Sequence, residues 1–151
     1  MALEWVYLFQ EVGEQARSEI ERIATEESYR QGAFLFHAGE PASHLYIVKK
    51  GWVRLSVTRG GLLSHIVSDP GEAIGWSSMA GNNGYTASAE CLIPVATLKI
   101  AKAQLTEILT RDPASGMAFY QRLARMIGKR LVASYTATLS MQSMGDTRSY
   151  G

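Results

Sequence analysis

The 151-residue sequence predicts a mainly β domain with flanking helices. Three observations predict it. Between residues 28 and 101, short apolar runs of strand length follow one another, punctuated by glycine and proline. The stretch before them carries apolar residues at helical spacing, and the stretch after them does so again as far as Met141. Many short, closely spaced strands favour a sandwich or barrel over a parallel sheet. The predicted organisation is one domain: a helical segment (1–27), a β-roll (28–101), C-terminal helices (102–141) and a polar, frayed tail (142–151).

Each element follows from its own pattern. Val12, Ala16, Ile20 and Ile23 recur at helix spacing, with Glu14, Arg17, Glu19, Glu21 and Arg22 around the opposite side. Phe34-Leu35-Phe36 is an apolar run between Gly32 and Gly39, and His44 to Val48 is rich in β-branched and aromatic residues. From Trp52 to Val57, Val53, Leu55 and Val57 alternate with Arg54 and Ser56. Gly60-Gly61 then predicts a hairpin into a strand from Leu62 to Val67, because both turn positions tolerate positive φ. Asp69-Pro70-Gly71 and Asn82-Asn83-Gly84 read as turns. Thr86 to Leu92 and Val95 to Ile100 read as two more strands around Pro94. Lys102 to Leu109 is a short amphipathic helix. Asp112-Pro113 opens a long one, with aspartate as cap and proline at the first helical position.

Composition narrows the function classes. Hydrophobic residues make up 46% and charged residues 19%, a globular balance with enough apolar material for a core. A formal net charge of +1 gives no electrostatic pull toward nucleic acid. The single cysteine, Cys91, cannot form an internal disulfide and reads as a core residue. The first residues lack the basic-then-apolar form of a signal peptide, and no run reaches the roughly 20 apolar residues of a membrane span. The expectation is a cytoplasmic protein without membrane contact.

The stretch from Gly32 through Phe34-Leu35-Phe36, Gly39-Glu40, His44-Leu45-Tyr46-Ile47-Val48 and Gly51-Trp52-Val53 resembles the front half of cyclic-nucleotide-binding domains. The resemblance runs on through the long C-terminal helix and implies a double-stranded β-helix, the jelly-roll-like β-roll of the catabolite-activator and fumarate–nitrate-regulator effector domains. It also implies a phosphate-binding cassette over Gly75-Trp76-Ser77-Ser78-Met79 and Tyr85-Thr86-Ala87. In that family a glutamate follows the cassette glycine and takes the ribose hydroxyl, and an arginine precedes the small hydroxyl residue and grips the phosphate. Trp76 and Tyr85 stand in those two places here. A hydrogen bond to a charged group contributes about 1.5–3 kcal/mol, so losing the arginine contact alone weakens a cyclic nucleotide roughly ten- to a hundredfold. Trp76 and Tyr85 either line the pocket, stacking on a ligand ring, or fill it themselves.

Tyr120, Ala124, Ile127, Leu131, Ser134, Thr138 and Met141 fall at alternating four- and three-residue steps, a heptad seam weakened in its second half by Ser134 and Thr138. The equivalent helix of the resembled regulators forms a two-fold interface, which implies a homodimer. Leu123, Ile127 and Leu131 could instead lie on the roll of the same chain. Arg122, Arg125, Lys129 and Arg130 read as a solvated basic face. The family's transcription factors carry a winged helix-turn-helix after this helix; about ten residues follow it here, so direct nucleic-acid binding is not expected.

Of other chemistries, a metal site at His37, Glu40 and His44 would need a closer ligand spacing such as His-x-His, which is absent, and no phosphate loop or nucleophile elbow occurs. The leading expectation is a non-enzymatic sensor domain. It would bind a small anionic effector, cyclic AMP or another cyclic nucleotide among the candidates, and signal through its last helix. The rival is a ligand-independent dimeric scaffold for an unknown protein partner. A third reading is a metal-dependent, cupin-like enzyme.

Overall fold

The computed structural model describes residues 3–57 and 64–149. A 3-10 turn at Tyr7–Phe9 precedes helix α1 (Glu14–Ile23). Eight strands follow: β1 (Thr25–Tyr29), β2 (Phe34–Phe36), β3 (His44–Lys50), β4 (Val53–Ser56), β5 (Ser64–Val67), β6 (Ala73–Ile74), β7 (Ser88–Cys91) and β8 (Val95–Ala101). Another 3-10 turn, Trp76–Met79, lies between β6 and β7, and helices α2 (Lys102–Arg111) and α3 (Pro113–Ser149) close the chain.

The strands form two antiparallel four-stranded sheets, ordered β1-β8-β3-β6 and β2-β7-β4-β5. Alternation along β3 explains the layering. Leu45 and Ile47 point to the helical side and join Leu98 and Ile100 of β8 in a core with Phe9, Ile20, Leu105 and Phe119. Tyr46 and Val48 point the other way, into a second core with Phe36, Val53, Val67, Ala89 and Cys91 of the facing sheet. The β1–β8–β3–β6 sheet is thus sandwiched between helices and its partner sheet, and β3 is buried on both faces. This is the β-roll with flanking helices that the sequence predicts. Cys91 is 1% exposed, and burial raises its thiol pKa to about 11.

Four details differ from the sequence reading. Strand β1 begins at Thr25, inside the segment read as helical; its residues are polar, and it pairs only with β8 along the sheet edge. Val12 lies ahead of α1, although it is buried with that helix's apolar face. A two-residue turn at Gly60-Gly61 would pair Ser56 with His65, whereas Ser56 pairs with Ser64, one residue out of that register; the turn itself and Leu62 lie outside the described residues. Helix α3 runs to Ser149, through the stretch expected as a tail.

The Asp112 cap stands as expected. Its carboxylate accepts from the Ser115 amide at 3.3 Å and the Ser115 hydroxyl at 2.6 Å, and that hydroxyl accepts from the Gly13 amide at 2.9 Å. These bonds hold the start of α3 against the start of α1. Phe119 then stacks on Phe9 at 5.9 Å, and Leu123 and Met126 continue the buried stripe.

Candidate ligand-binding site

Gly75 has φ of +79°, the left-handed conformation that glycine adopts at least cost. A Cβ there would also meet the His44 carbonyl oxygen at 3.1 Å and the Tyr85 ring at 3.2 Å. The chain turns at Gly75 into the 3-10 segment Trp76–Met79, closed by the Ser78 hydroxyl donating to the Gly75 carbonyl at 2.7 Å. The hydroxyls of Ser77 and Thr86 lie 3.2 Å apart, and the Thr86 amide donates to the Ser77 oxygen at 3.4 Å. The two halves of the expected cassette are therefore tied together by their own small polar residues.

Most of the eight expected cassette residues build the site's wall from behind. Gly75, Ser77, Ser78 and Met79 are buried. Tyr85 is 6% exposed, and its ring stacks on Phe36 with centroids 3.8 Å apart. Its hydroxyl donates to the His44 carbonyl at 2.8 Å and accepts from the His44 amide at 3.1 Å. Tyr85, expected beside the ligand, is thus built into the core between the sheets. The physical reason is that a phenol satisfies both its apolar ring and its polar tip there.

Trp76, Thr86 and Ala87 do reach open space. They line a cavity of about 460 Å³, whose other walls come from Leu55 and His65 of the β4–β5 hairpin and from Ile127, Arg130, Leu131 and Ser134 of α3. This volume lies in the usual range for small-molecule sites. Trp76 is half-buried and packs against the helical core, so the indole forms one wall of the cavity.

Arg130 is the residue that sequence reasoning missed. One end of its guanidinium donates to the Ala73 carbonyl at 2.5 Å, while Nη1 is buried without a hydrogen-bond partner among the described residues. Desolvation holds its pKa below the usual value, and the Glu72 carboxylate pulls the other way. His65, on the same cavity wall, has its pKa lowered by burial first and by the Arg130 charge second. Arg122 also departs from the expected solvated basic face. It packs 4.8 Å over the Tyr7 ring and bonds the Gln10 side chain at 2.8 Å, with Glu11 at 3.4 Å. The available signal was spacing: Arg130 falls seven residues after Leu123 and four after Met126, on the buried face of the helix. Arg125 and Lys129 are exposed, as the sequence suggests.

The expected seam on α3 is divided between two environments. Ile127 packs against the helical core, whereas Tyr120, Ala124 and Leu131 are exposed. Tyr120 and Leu131 belong to a wider stripe with Met117, Tyr135 and Leu139, each 41–64% exposed. At 100° per residue this stripe lies opposite the buried Phe119, Leu123 and Met126. The side chain of Met141 falls outside the described residues. Among those residues no group of three or more His, Cys, Asp and Glu side chains could hold a metal ion. The ring of His37 stacks on Phe34, and that of His44 bonds Ser43.

The family model for the cyclic nucleotide-binding domain matches residues 26–112. The chain belongs to the cyclic nucleotide-binding domain family. Among solved structures, this domain is similar to the N-terminal domain of a transcriptional regulator from Streptomyces coelicolor, 27% identical, with a TM-score of 0.67 over 85% of this chain and 94% of that one. It is similar in fold to a cyclic nucleotide-binding domain from Methylobacillus flagellatus, 18% identical, with a TM-score of 0.78 over 92% of this chain and 83% of that one. An uncharacterized NTE family protein of Mycobacterium tuberculosis is 28% identical over 135 residues, 85% of this chain. The matched stretch spans only 23% of that relative's length. The match and the regulatory neighbours make this chain a cyclic-nucleotide-binding-like regulatory domain by fold. No helix among the described residues is long and apolar enough to cross a membrane.

Proposed function

We propose that this domain is a non-enzymatic, cytoplasmic sensor that takes a small anionic effector into the cavity between the cassette and α3. The observation that carries the reading is the open cavity bounded by Trp76, Thr86 and Ala87, with Arg130 on its wall. The cation that position 85 lacks is supplied there from the helix side. The Trp76 indole offers a flat apolar wall for a ring, and the Thr86 hydroxyl is a donor. Because Arg130 also holds the Ala73 carbonyl, an anion that engages it bears directly on how α3 sits against β6. The effector thereby biases the position of the helix, and the exposed stripe of α3 carries that bias to a second copy of the chain.

Isothermal titration with cyclic AMP and cyclic GMP tests the nucleotide form of this reading. Measurable heat, weakened by Arg130→Gln and by Thr86→Val, is the expected result. Absence of both heat and thermal shift at millimolar nucleotide overturns it. A ligand-independent dimeric scaffold is the second reading, favoured by the absence of charged cassette residues at positions 76 and 85 together with the exposed α3 stripe. It predicts the same dimer with no response to any anion.

A further inference from the structure

His65 stands where the alternation of β5 calls for an apolar side chain. Val53 pairs with Val67 and Leu55 with His65, and both valines are fully buried. Successive side chains take opposite faces of a strand, so His65 shares the inward face with Val67, while Ser64 and Ile66 are exposed on the other. The half-buried imidazole borders the cassette cavity, with Leu55 beside it and Trp76, Thr86 and Arg130 on the other walls. None of the hydrogen bonds among the described residues uses its ring.

The charges around His65 come from three directions. From α3, Arg130 borders the cassette cavity with it, and Lys129 joins both around a neighbouring cavity of about 280 Å³. Glu72, just ahead of β6, lines that neighbouring cavity, and the N-terminal segment brings Tyr7 to it as its own titratable group. From β4 the facing residue is the uncharged Leu55. Burial and the Arg130 charge disfavour the imidazolium, and Glu72 opposes them without reversing the outcome. The ring is therefore neutral beside the arginine at neutral pH. An anion in the cassette cavity changes the balance, because it offsets the Arg130 charge and itself favours the charged ring.

We propose that His65 is the second, proton-dependent cation of the effector site: it holds the anionic group as imidazolium, and the effector and a proton enter together. This rests on the reading of the cassette cavity as the effector site. Arg130 has one end committed to the Ala73 carbonyl, so a second cation on the facing hairpin completes the neutralisation of an anion. Held between His65 and Arg130, the anion also ties the β4–β5 hairpin to α3. The sign of the linkage follows. Between the depressed value of the free protein and the ordinary histidine value of about 6.5, the complex keeps the proton that the free protein has lost. Affinity therefore rises as pH falls through that window.

Cyclic AMP is the probe, titrated calorimetrically into the full chain at about pH 8 and about pH 5.5, in buffers of unlike ionisation enthalpy. Its phosphodiester stays singly negative throughout, so the pH dependence belongs to the protein. Affinity roughly three- to tenfold higher at the lower pH is expected, with net uptake of up to about one proton. His65→Gln should remove both the gain and the uptake, and leave affinity at the higher pH within about twofold of the parent. His44→Gln, at the histidine whose ring bonds Ser43, should change neither. In the parent protein the His65 ring C–H resonances should move toward their protonated positions on titration. Affinity independent of pH, uptake that persists in His65→Gln, uptake lost in His44→Gln, or unmoved His65 resonances each overturns the role of His65 and leaves the effector site standing. No heat at either pH overturns the effector site and the role of His65 together.

Discussion

Tyr85 bonds both main-chain polar groups of one residue, His44, donating to its carbonyl and accepting from its amide. The position where the family places a phosphate-gripping arginine therefore clamps strand β3 instead. Tyr85→Phe keeps the stack on Phe36 and removes only the hydroxyl. It should cost about 1–3 kcal/mol, because both His44 groups lose a partner. Tyr85→Arg should cost more, since it also gives up the stack and places a charge in the core between the sheets. Urea denaturation of the three proteins checks the order. An arginine variant as stable as the parent would contradict it.

Glycines at positive φ separate conformational cost from steric cost. Gly32 has φ of +87°, and a Cβ added there would meet nothing within 4 Å, whereas at Gly71 that carbon would strike the Trp5 carbonyl. Gly32→Ala should cost only the left-handed penalty, about 1–2 kcal/mol. Gly71→Ala should cost distinctly more, because backbone must move as well. Thermal melts of the two variants decide this; equal losses would mean that the Trp5 segment yields freely.

Two histidines make the fold acid-sensitive. Burial lowers the pKa of both His44 and His65, aided by the charge of Lys99 on the first and Arg130 on the second. The unfolded chain therefore binds their protons more readily than the folded one. The sign follows: stability declines as pH falls below the unfolded histidine value of about 6.5, and the decline ends below the depressed folded values. Denaturation midpoints at pH 7 and pH 5 should differ, and His44→Gln with His65→Gln should flatten the difference. An unchanged slope in the double variant would place the acid sensitivity elsewhere.

The elements legible in the sequence are those whose residues bury apolar side chains with a clear period. β3, β8 and the start of α3 at Asp112-Pro113 are of this kind. β1 is illegible because an edge strand of Thr, Glu, Glu, Ser and Tyr has no apolar face to display. The register of β4 on β5 escapes the pattern because two glycines suggest a turn without fixing its centre. At the site, the small polar framework of Ser77 and Thr86 is visible as a motif. Arg130 is not, since an arginine in a basic cluster on a helix reads as solvated until the roll that covers it is known. Tyr85 is placed by family position, which carries the backbone faithfully but not the direction its side chain serves.

The exposed stripe of α3 yields the last prediction. Leu131 and Tyr135 are 49% and 60% exposed, while Leu123, on the opposite face, is 3% exposed. If α3 pairs with its copy about a two-fold axis, each substitution enters the interface twice. Leu131→Glu and Tyr135→Glu should then convert a dimer to a monomer in sedimentation velocity, with the domain still folded by circular dichroism. Leu123→Glu should instead unfold the domain, because it buries a charge among Phe9, Phe119 and Met126. A parent protein that sediments as a monomer across micromolar concentrations, or a dimer indifferent to both glutamates, would remove α3 as the interface. The exposed apolar stripe would then belong to a different partner.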